Sequence, residues 1–213
     1  MERNKIALLY TAYLAPIQYY SKLFQYDSIC IEHYEHFPKQ TFRNRCLIYG
    51  ANGVLTLSIP LKKYKEKTIT KDIKIAYDYP WQKNHWRSLQ SAYRCSPYFE
   101  FYEHELFPFF NKNYTYLIDF NEALQTMILN LLNINVKIKS TENYLKQSPE
   151  CDDLRVSISP KKNEPGERYI CKTYIQVFES KYGFIPNLSI VDLLFNQGPL
   201  SIDYIRPHGF GSI

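Results

Sequence analysis

The chain has 213 residues, of which 45% are hydrophobic and 22% charged, which is typical of one folded domain with at most a small extension. The net charge of +5 favours anionic ligands but falls short of the basic stripe of a nucleic-acid-binding protein. The cysteines are odd in number and form no CxxC pair, which argues against a disulfide framework and a zinc site and indicates a cytoplasmic protein.

A βαβ unit is predicted at the start of the chain. Ile6–Tyr10 is an apolar run typical of a buried strand, Tyr13–Phe24 has apolar residues near helical spacing, and Ile29–Ile31 predicts a second strand. A strand, a helix and a strand within about 30 residues are typical of a parallel pair joined by a crossover. No apolar run is long enough for a membrane span.

A β-hairpin is predicted next. Cys46–Tyr49 and Val54–Ile59 are short apolar runs on either side of Asn52-Gly53, and Asn-Gly in this setting is a strong hairpin signal. The lysine-rich segment Lys62–Lys71 is expected to be an exposed loop, and Ile73–Ala76 to add a further strand.

Three helices are predicted in the middle of the chain, followed by a short strand. The helical segments are Trp81–Tyr93, Tyr98–Phe110 and Asp119–Leu132, with Asp119 as the expected N-cap of the third. Val136–Ile138 is expected to be the strand.

The last third is expected to be a linker and a helical extension. Residues 148–167 hold three prolines and little apolar periodicity, which favours a linker. Tyr169–Tyr182 predicts a helix that ends at Gly183, and Ile190–Asn196 a helix capped by Ser189. We therefore expect an α/β domain over residues 1–147 and, over residues 168–213, helices docked on it.

The predicted fold class is α/β. It has a mixed central sheet of about five or six strands that is opened by the βαβ unit, a hairpin, and a mostly helical C-terminal half.

A dense polar cluster between the second and third strands is the first candidate substrate site. It contains Lys39, Arg43, Asn44 and Arg45. In an extended chain the two arginines would point to one side, where two guanidinium groups can hold a phosphate or carboxylate. The alternatives are a solvated loop or a structural ion pair with Glu32 or Glu35.

A second candidate lies on the helix Trp81–Tyr93. The expected catalytic residues are His85, which can transfer protons near neutral pH, and Tyr93, a polar neighbour two turns further on. The alternative is that His85 is a hydrogen-bonded structural residue beside tryptophan.

No motif identifies a cofactor. The motifs GxGxxG, GxxxxGK[ST], GxSxG and HExxH are all missing from the sequence. His33 and His36 lie three residues apart, a spacing that could bind a metal on a helix, but they lie where a predicted strand runs into a loop.

Several segments in order resemble the WbqC-like family of bacterial proteins. Two residues in these segments, Tyr13 and Asn121, join the candidates for substrate binding, and Arg43, Asn44, Arg45, His85 and Tyr93 match characteristic positions. The sequence departs from the family pattern where Tyr10-Thr11 and Leu14-Ala15 replace Gln-Pro and Leu-Pro. The matching segments are residues 10–20, 39–45, 57–60, 81–86, 92–93, 96–99, 119–121 and 184–199.

The resemblance implies a transferase of O-antigen or capsule biosynthesis that acts on an anionic activated sugar or amino sugar, with glycine as a candidate transferred group. The implied partner is an anionic small molecule such as a nucleotide sugar, and the oligomeric state is left open. Two alternatives remain: a non-catalytic protein that binds a metabolite or a partner, and a nucleotide-binding enzyme of the nucleotidyltransferase-like α/β class. The HxGH motif of that class is replaced here by Tyr13-Leu-Ala-Pro16.

Overall fold

The computed structural model describes residues 5–146, 150–160 and 169–206. The predicted βαβ unit is present as strand β1 (Ile6–Tyr10), helix α1 (Ile17–Leu23) and strand β2 (Ser28–Glu32). The two strands pair in parallel along their whole length. The helix begins later than predicted because Leu14 has a positive φ of 40° and Pro16 is extended.

The predicted hairpin is formed by β3 (Arg45–Gly50) and β4 (Gly53–Ser58), which pair antiparallel. Gly53 has a φ of +94°, a conformation that glycine adopts without a steric penalty. Ile73–Ala76 is not a strand; its residues make only isolated bridges, from Lys74 to Tyr116 and from Ile75 to Leu61.

Helices follow in the predicted order. They are α2 (Trp81–Tyr93), α3 (Phe99–Leu106), which continues as a 3-10 turn, and α4 (Leu117–Leu131). The N-cap of α4 is Tyr116, so Asp119 lies inside the first turn and is not the cap.

Two short strands complete a parallel four-stranded sheet. They are β5 (Lys137–Ser140) and β6 (Cys151–Asp153), and the strand order is β5-β2-β1-β6. β6 lies inside the predicted linker, residues 148–167. Its three residues carry no apolar alternation, and pairing with β1 across the chain fixes their conformation.

The C-terminal region is less helical than predicted. Of the predicted helix Tyr169–Tyr182, only α5 (Glu179–Tyr182) is helical. Tyr174 and Gln176 are buried whereas Ile175 between them is 78% exposed, and this period of two indicates an extended chain. Gly183 ends α5 with a φ of +73°, as predicted.

The last helices pack back onto the start of the chain. α6 (Ile190–Gln197) is followed by a 3-10 turn and by α7 (Ser201–Ile205). Ser189, at the start of α6, donates its backbone N–H to Leu47 O at 2.8 Å and its hydroxyl to Leu14 O at 2.7 Å. These bonds hold α6 between the first turn and the hairpin.

The mixed α/β class, with its βαβ start, hairpin and helical C-terminal half, is confirmed. The expected central sheet of five or six strands is instead divided, in the described ranges, between the parallel four-stranded sheet and the hairpin, which forms a sheet of its own. None of the helices in the described ranges is long and apolar enough to cross a membrane.

Candidate functional site

A cavity of about 480 Å³, here called the edge cavity, lies at the carboxyl edge of the parallel sheet. Its walls come from the segments after β2 and β6 and from the turn before β3. Ligands of open parallel sheets bind outside the carboxyl ends of the strands, and this volume suits a small molecule. The residues that line the edge cavity are Tyr34, Glu35, His36, Pro38, Thr41, Arg43, Tyr144, Asp153, Arg155, Val156, Ile158 and Ser159.

Glu32, the last residue of β2, is completely buried and ties three segments together around the edge cavity. Its Oε1 accepts hydrogen bonds from the Tyr34 backbone N–H at 2.8 Å and the Thr141 hydroxyl at 2.9 Å. Its Oε2 accepts from the Leu145 backbone N–H at 3.0 Å and from Arg155 Nη1 at 3.2 Å. Because four donors satisfy the carboxylate, Glu32 supports the wall and has little capacity left for a ligand.

Arg155 and Asp153 form a bidentate ion pair on the β6 side. Arg155 Nε lies 2.9 Å from Asp153 Oδ1, and Nη2 lies 2.5 Å from Oδ2. Burial acts to raise the pKa of Asp153, but the hydrogen bonds from Arg155 outweigh it and lower the pKa. The hydrogen bond to Asp153 in turn raises the pKa of Arg155, so both groups stay charged and paired.

Glu35 and Arg43 form a second ion pair on the wall of the edge cavity. Nε and Nη2 of Arg43 both lie 2.6 Å from Glu35 Oε1, and the two side chains are 3% and 12% exposed for Arg43 and Glu35 respectively. The guanidinium group also stacks 4.2 Å above the Tyr10 ring. Burial raises the pKa of Glu35, and the charge of Arg43 opposes that shift only in part. A carboxyl group with a raised pKa in a cavity is typical of an acid–base residue.

This second pair keeps unused hydrogen-bonding capacity. Both contacts with Arg43 use Oε1, so within the described ranges Glu35 Oε2 accepts no hydrogen bond and Arg43 Nη1 donates none. The pair therefore offers a ligand one acceptor and one charged donor side by side. The exposed side chain of His36 lines the same cavity and adds an imidazole that can donate or accept a hydrogen bond.

His85 lies in the core and does not line the edge cavity. Its ring stacks on Tyr13, and Nδ1 lies 2.9 Å from the Tyr13 hydroxyl. Burial lowers the pKa of His85 to about 4, and a hydrogen bond with the Ser58 backbone opposes the shift. The imidazole is therefore neutral near pH 7 and joins α2, the first turn and β4.

Tyr93 also has a structural position. Its hydroxyl donates to Asp192 Oδ1 at 2.8 Å and accepts from the Tyr49 backbone N–H at 3.0 Å. The other carboxylate oxygen of Asp192 accepts from the Tyr174 hydroxyl at 2.5 Å and from Gln176 Nε2 at 2.9 Å. Burial raises the pKa of Asp192 against these hydrogen bonds. The network fastens the C-terminal region to the hairpin and α2.

The two arginines of the polar cluster, Arg43 and Arg45, were expected to point to the same side of the chain, but they do not line the same site. Residues 41–44 form turns instead of an extended strand, so Arg43 lines the edge cavity whereas Arg45 does not. The Arg43–Glu35 ion pair is the alternative that the sequence left open. Asn44 donates its side-chain amide to Ile59 O at 3.0 Å, which joins the start of β3 to the end of β4.

Asn121 and Lys39 take different positions. Asn121 donates its amide to the backbone oxygen of Arg43 at 2.8 Å and so supports the edge cavity from α4. Lys39 is exposed and lines a neighbouring groove.

Sequence reasoning missed four charged or titratable groups of the edge cavity. Glu35 and His36 follow β2 directly, and the rule that ligands bind at the carboxyl ends of parallel strands would have pointed to them. Asp153 and Arg155 lie in the predicted linker, where no pattern marked β6. In the part of the chain that the structure describes, no three His, Cys, Asp or Glu side chains are grouped as a metal site.

Comparisons with known proteins found a family model that matches the chain and a protein of similar sequence. The model of the WbqC-like protein family matches residues 11–172. The uncharacterized protein Rv1507c of Mycobacterium tuberculosis (strain ATCC 25618 / H37Rv) is 25% identical over 229 aligned positions, which cover 95% of this chain and 98% of that protein. No solved structure matches the chain.

Proposed function

Because the chain belongs to the WbqC-like protein family, we propose that it is a cytoplasmic transferase of bacterial surface-polysaccharide biosynthesis that works in the edge cavity. The acceptor is the amino group of an activated, anionic amino sugar, and the transferred group is an aminoacyl group such as glycyl. The observation that carries the proposal is the buried Glu35–Arg43 pair, which retains one free acceptor and one free donor. Cys30, Cys46, Cys95 and Cys171 form no disulfide bond, which suits a reducing compartment.

The charges of the edge cavity favour an amine-bearing ligand over a bare anion. Its two arginines are each paired with a carboxylate, so the lining has no surplus positive charge from these groups. An ammonium group can donate to Glu35 Oε2, while a carbonyl or hydroxyl oxygen accepts from Arg43 Nη1. A ligand that offers both groups satisfies the pair without breaking it.

Glu35 is the proposed general base. Its carboxylate takes a proton from the sugar ammonium, and the neutral amine then attacks the carbonyl carbon of an activated aminoacyl donor. A C–N bond forms, the bond from that carbon to the leaving group breaks, and the leaving group departs with the electron pair of that bond and takes up the proton that the amine nitrogen loses. Burial raises the pKa of Glu35, so its carboxylate is a stronger base than that of an exposed glutamate. His85 and Tyr93, in contrast, serve the structure.

The proposal is tested by ligand binding to wild type and two variants. A nucleotide-linked amino sugar with a free amine, at about 100 times its dissociation constant, should stabilise the fold by about 2.7 kcal/mol and so raise the melting temperature by about 5–11 °C. Its N-acetylated counterpart, which lacks the ammonium group, should bind more weakly. Glu35→Gln should abolish this preference for the free amine.

Glu122→Gln is the matched control, since Glu122 also contacts a basic side chain, His33 at 2.7 Å, but does not line the edge cavity. It should keep the wild-type preference. Equal binding of the two sugars, or the same preference in Glu35→Gln, would refute the proposed amine site. Aminoacyl transfer in the presence of aminoacyl donors is measured by mass spectrometry. If the amino sugar binds but no transfer is detected, the protein is a non-catalytic binding protein.

A further inference from the structure

A groove next to the edge cavity has a different charge from the cavity itself. This lysine groove, of about 830 Å³, is lined by Lys39, Lys62 and Lys63 together with Phe37, Pro38 and Tyr64. Glu66 is the single acidic side chain on its walls, so three positive charges face one negative charge. The three lysines are exposed and form no ion pair within the described ranges.

The walls of the lysine groove are held in place. Phe37 donates its backbone N–H to Thr68 O at 2.9 Å, and Lys62 donates to Lys74 O at 2.9 Å. The rings of Phe37 and Tyr64 pack edge to face with centroids 5.6 Å apart. The lysine side chains therefore project from a fixed backbone, and their mutual repulsion is relieved when an anion lies between them.

The lysine groove and the edge cavity meet at Pro38, which lines both. The two spaces are therefore neighbours that share one wall residue. The edge cavity has paired charges and an acceptor for an amine, whereas the lysine groove has unpaired cations for phosphate oxygens.

We propose that the lysine groove binds the diphosphate of the activated sugar while the sugar itself occupies the edge cavity. The inference rests on the proposed function and specifies its substrate class as a diphosphate-linked amino sugar. It assigns the phosphates to Lys39, Lys62 and Lys63 in place of Arg43 and Arg45. Arg43 is committed to Glu35, and Arg45 does not line the edge cavity.

The experiment measures the binding of pyrophosphate and of uridine diphosphate by calorimetry, at two salt concentrations. The double variant Lys62→Gln/Lys63→Gln should weaken the binding of both probes by about tenfold or more, because charge-assisted hydrogen bonds to phosphate are lost. The matched control is Lys65→Gln/Lys67→Gln, which removes the same charge from the same loop but from side chains outside the groove lining. This control variant should change the affinity by less than about twofold, because it weakens only the general positive field around the lysine groove.

Equal losses in the two double variants, or no diphosphate binding by wild type, would overturn the inference. So would binding to anionic lipid vesicles that both double variants weaken alike, which would indicate a general membrane-surface patch. Failure here is separable from failure of the proposed function. Glu35→Gln tests the recognition of the amine through the ratio of the affinities for the free and the N-acetylated sugar, whereas the lysine variants test the diphosphate with pyrophosphate, a probe that carries no amine.

Discussion

Asn121 on α4 donates its side-chain amide to the backbone oxygen of Arg43 at 2.8 Å, and the residue is 1% exposed. A helix far along the chain thus fixes the segment that carries the arginine of the edge cavity. Asn121 was a candidate for substrate binding, and the structure gives it a supporting position behind Arg43.

Asn121→Ala should therefore lower both stability and ligand affinity. Removing the donor leaves the buried oxygen of Arg43 unpaired, which costs about 1–3 kcal/mol of unfolding free energy. Urea unfolding measures that cost, and binding of the amino sugar measures the effect on the edge cavity. Asn130→Ala, at an exposed position of the same helix, should change neither by a measurable amount. A stable Asn121→Ala protein would show that the bond contributes little.

The pH dependence of stability should reveal the buried state of His85. Its folded pKa of about 4 lies below the ordinary value of 6.5, so the unfolded chain binds more protons between these two pH values. The contribution of His85 to the free energy of unfolding is therefore fully present above pH 6.5 and is lost as the pH falls towards 4. The total loss is up to about 3 kcal/mol.

Urea unfolding of wild type and His85→Gln at pH 7 and pH 5 tests this sign. Both proteins share the contributions of the other titrating groups, including Glu35 and Asp192, whose raised pKa values act in the opposite direction. The stability lost between pH 7 and pH 5 should be larger for wild type than for the variant. An equal loss would mean that His85 titrates normally and is not buried as described.

Local patterns in the sequence predicted most of the elements. The spacing of Trp81, His85 and Leu89 predicted α2 with its buried face, and Asn52-Gly53 predicted the hairpin turn. These signals are local, because a helix face and a tight turn are set by neighbours along the chain.

The elements and contacts that depend on distant pairing were not predictable in the same way. β6 is the tripeptide Cys-Asp-Asp and is a strand because β1 pairs with it. Arg43 and Arg45 were expected on one side of an extended segment, but the turn at residues 41–44 separates them. Glu35 stood out in no motif, and only its burial against Arg43 makes it a candidate acid–base residue.

The hydrogen bond from Tyr93 to Asp192 should matter for stability and not for chemistry. Tyr93→Phe removes a donor to a buried carboxylate and leaves the Tyr49 backbone N–H without its acceptor, which should cost about 2–4 kcal/mol. Tyr79→Phe, at a tyrosine that is 59% exposed, serves as the control and should be neutral. If Tyr93→Phe keeps its stability but loses transfer activity, the hydroxyl has the catalytic role that the sequence first indicated.

Gly198 at the end of α6 should tolerate no side chain. Its φ is +53°, and an added Cβ would lie 2.4 Å from Cδ1 of Tyr98, far inside van der Waals contact. Gly183→Ala is the matched control, since Gly183 also has a positive φ, +73°, but a Cβ there would meet nothing within 4 Å. The positive φ and extended ψ of Gly183 alone should cost Gly183→Ala about 1–3 kcal/mol, and Gly198→Ala should lose more because the Tyr98 ring must move. Thermal unfolding of both variants measures the difference. Equal losses would show that Tyr98 shifts at no cost, so that backbone conformation alone explains the need for glycine at the end of α6.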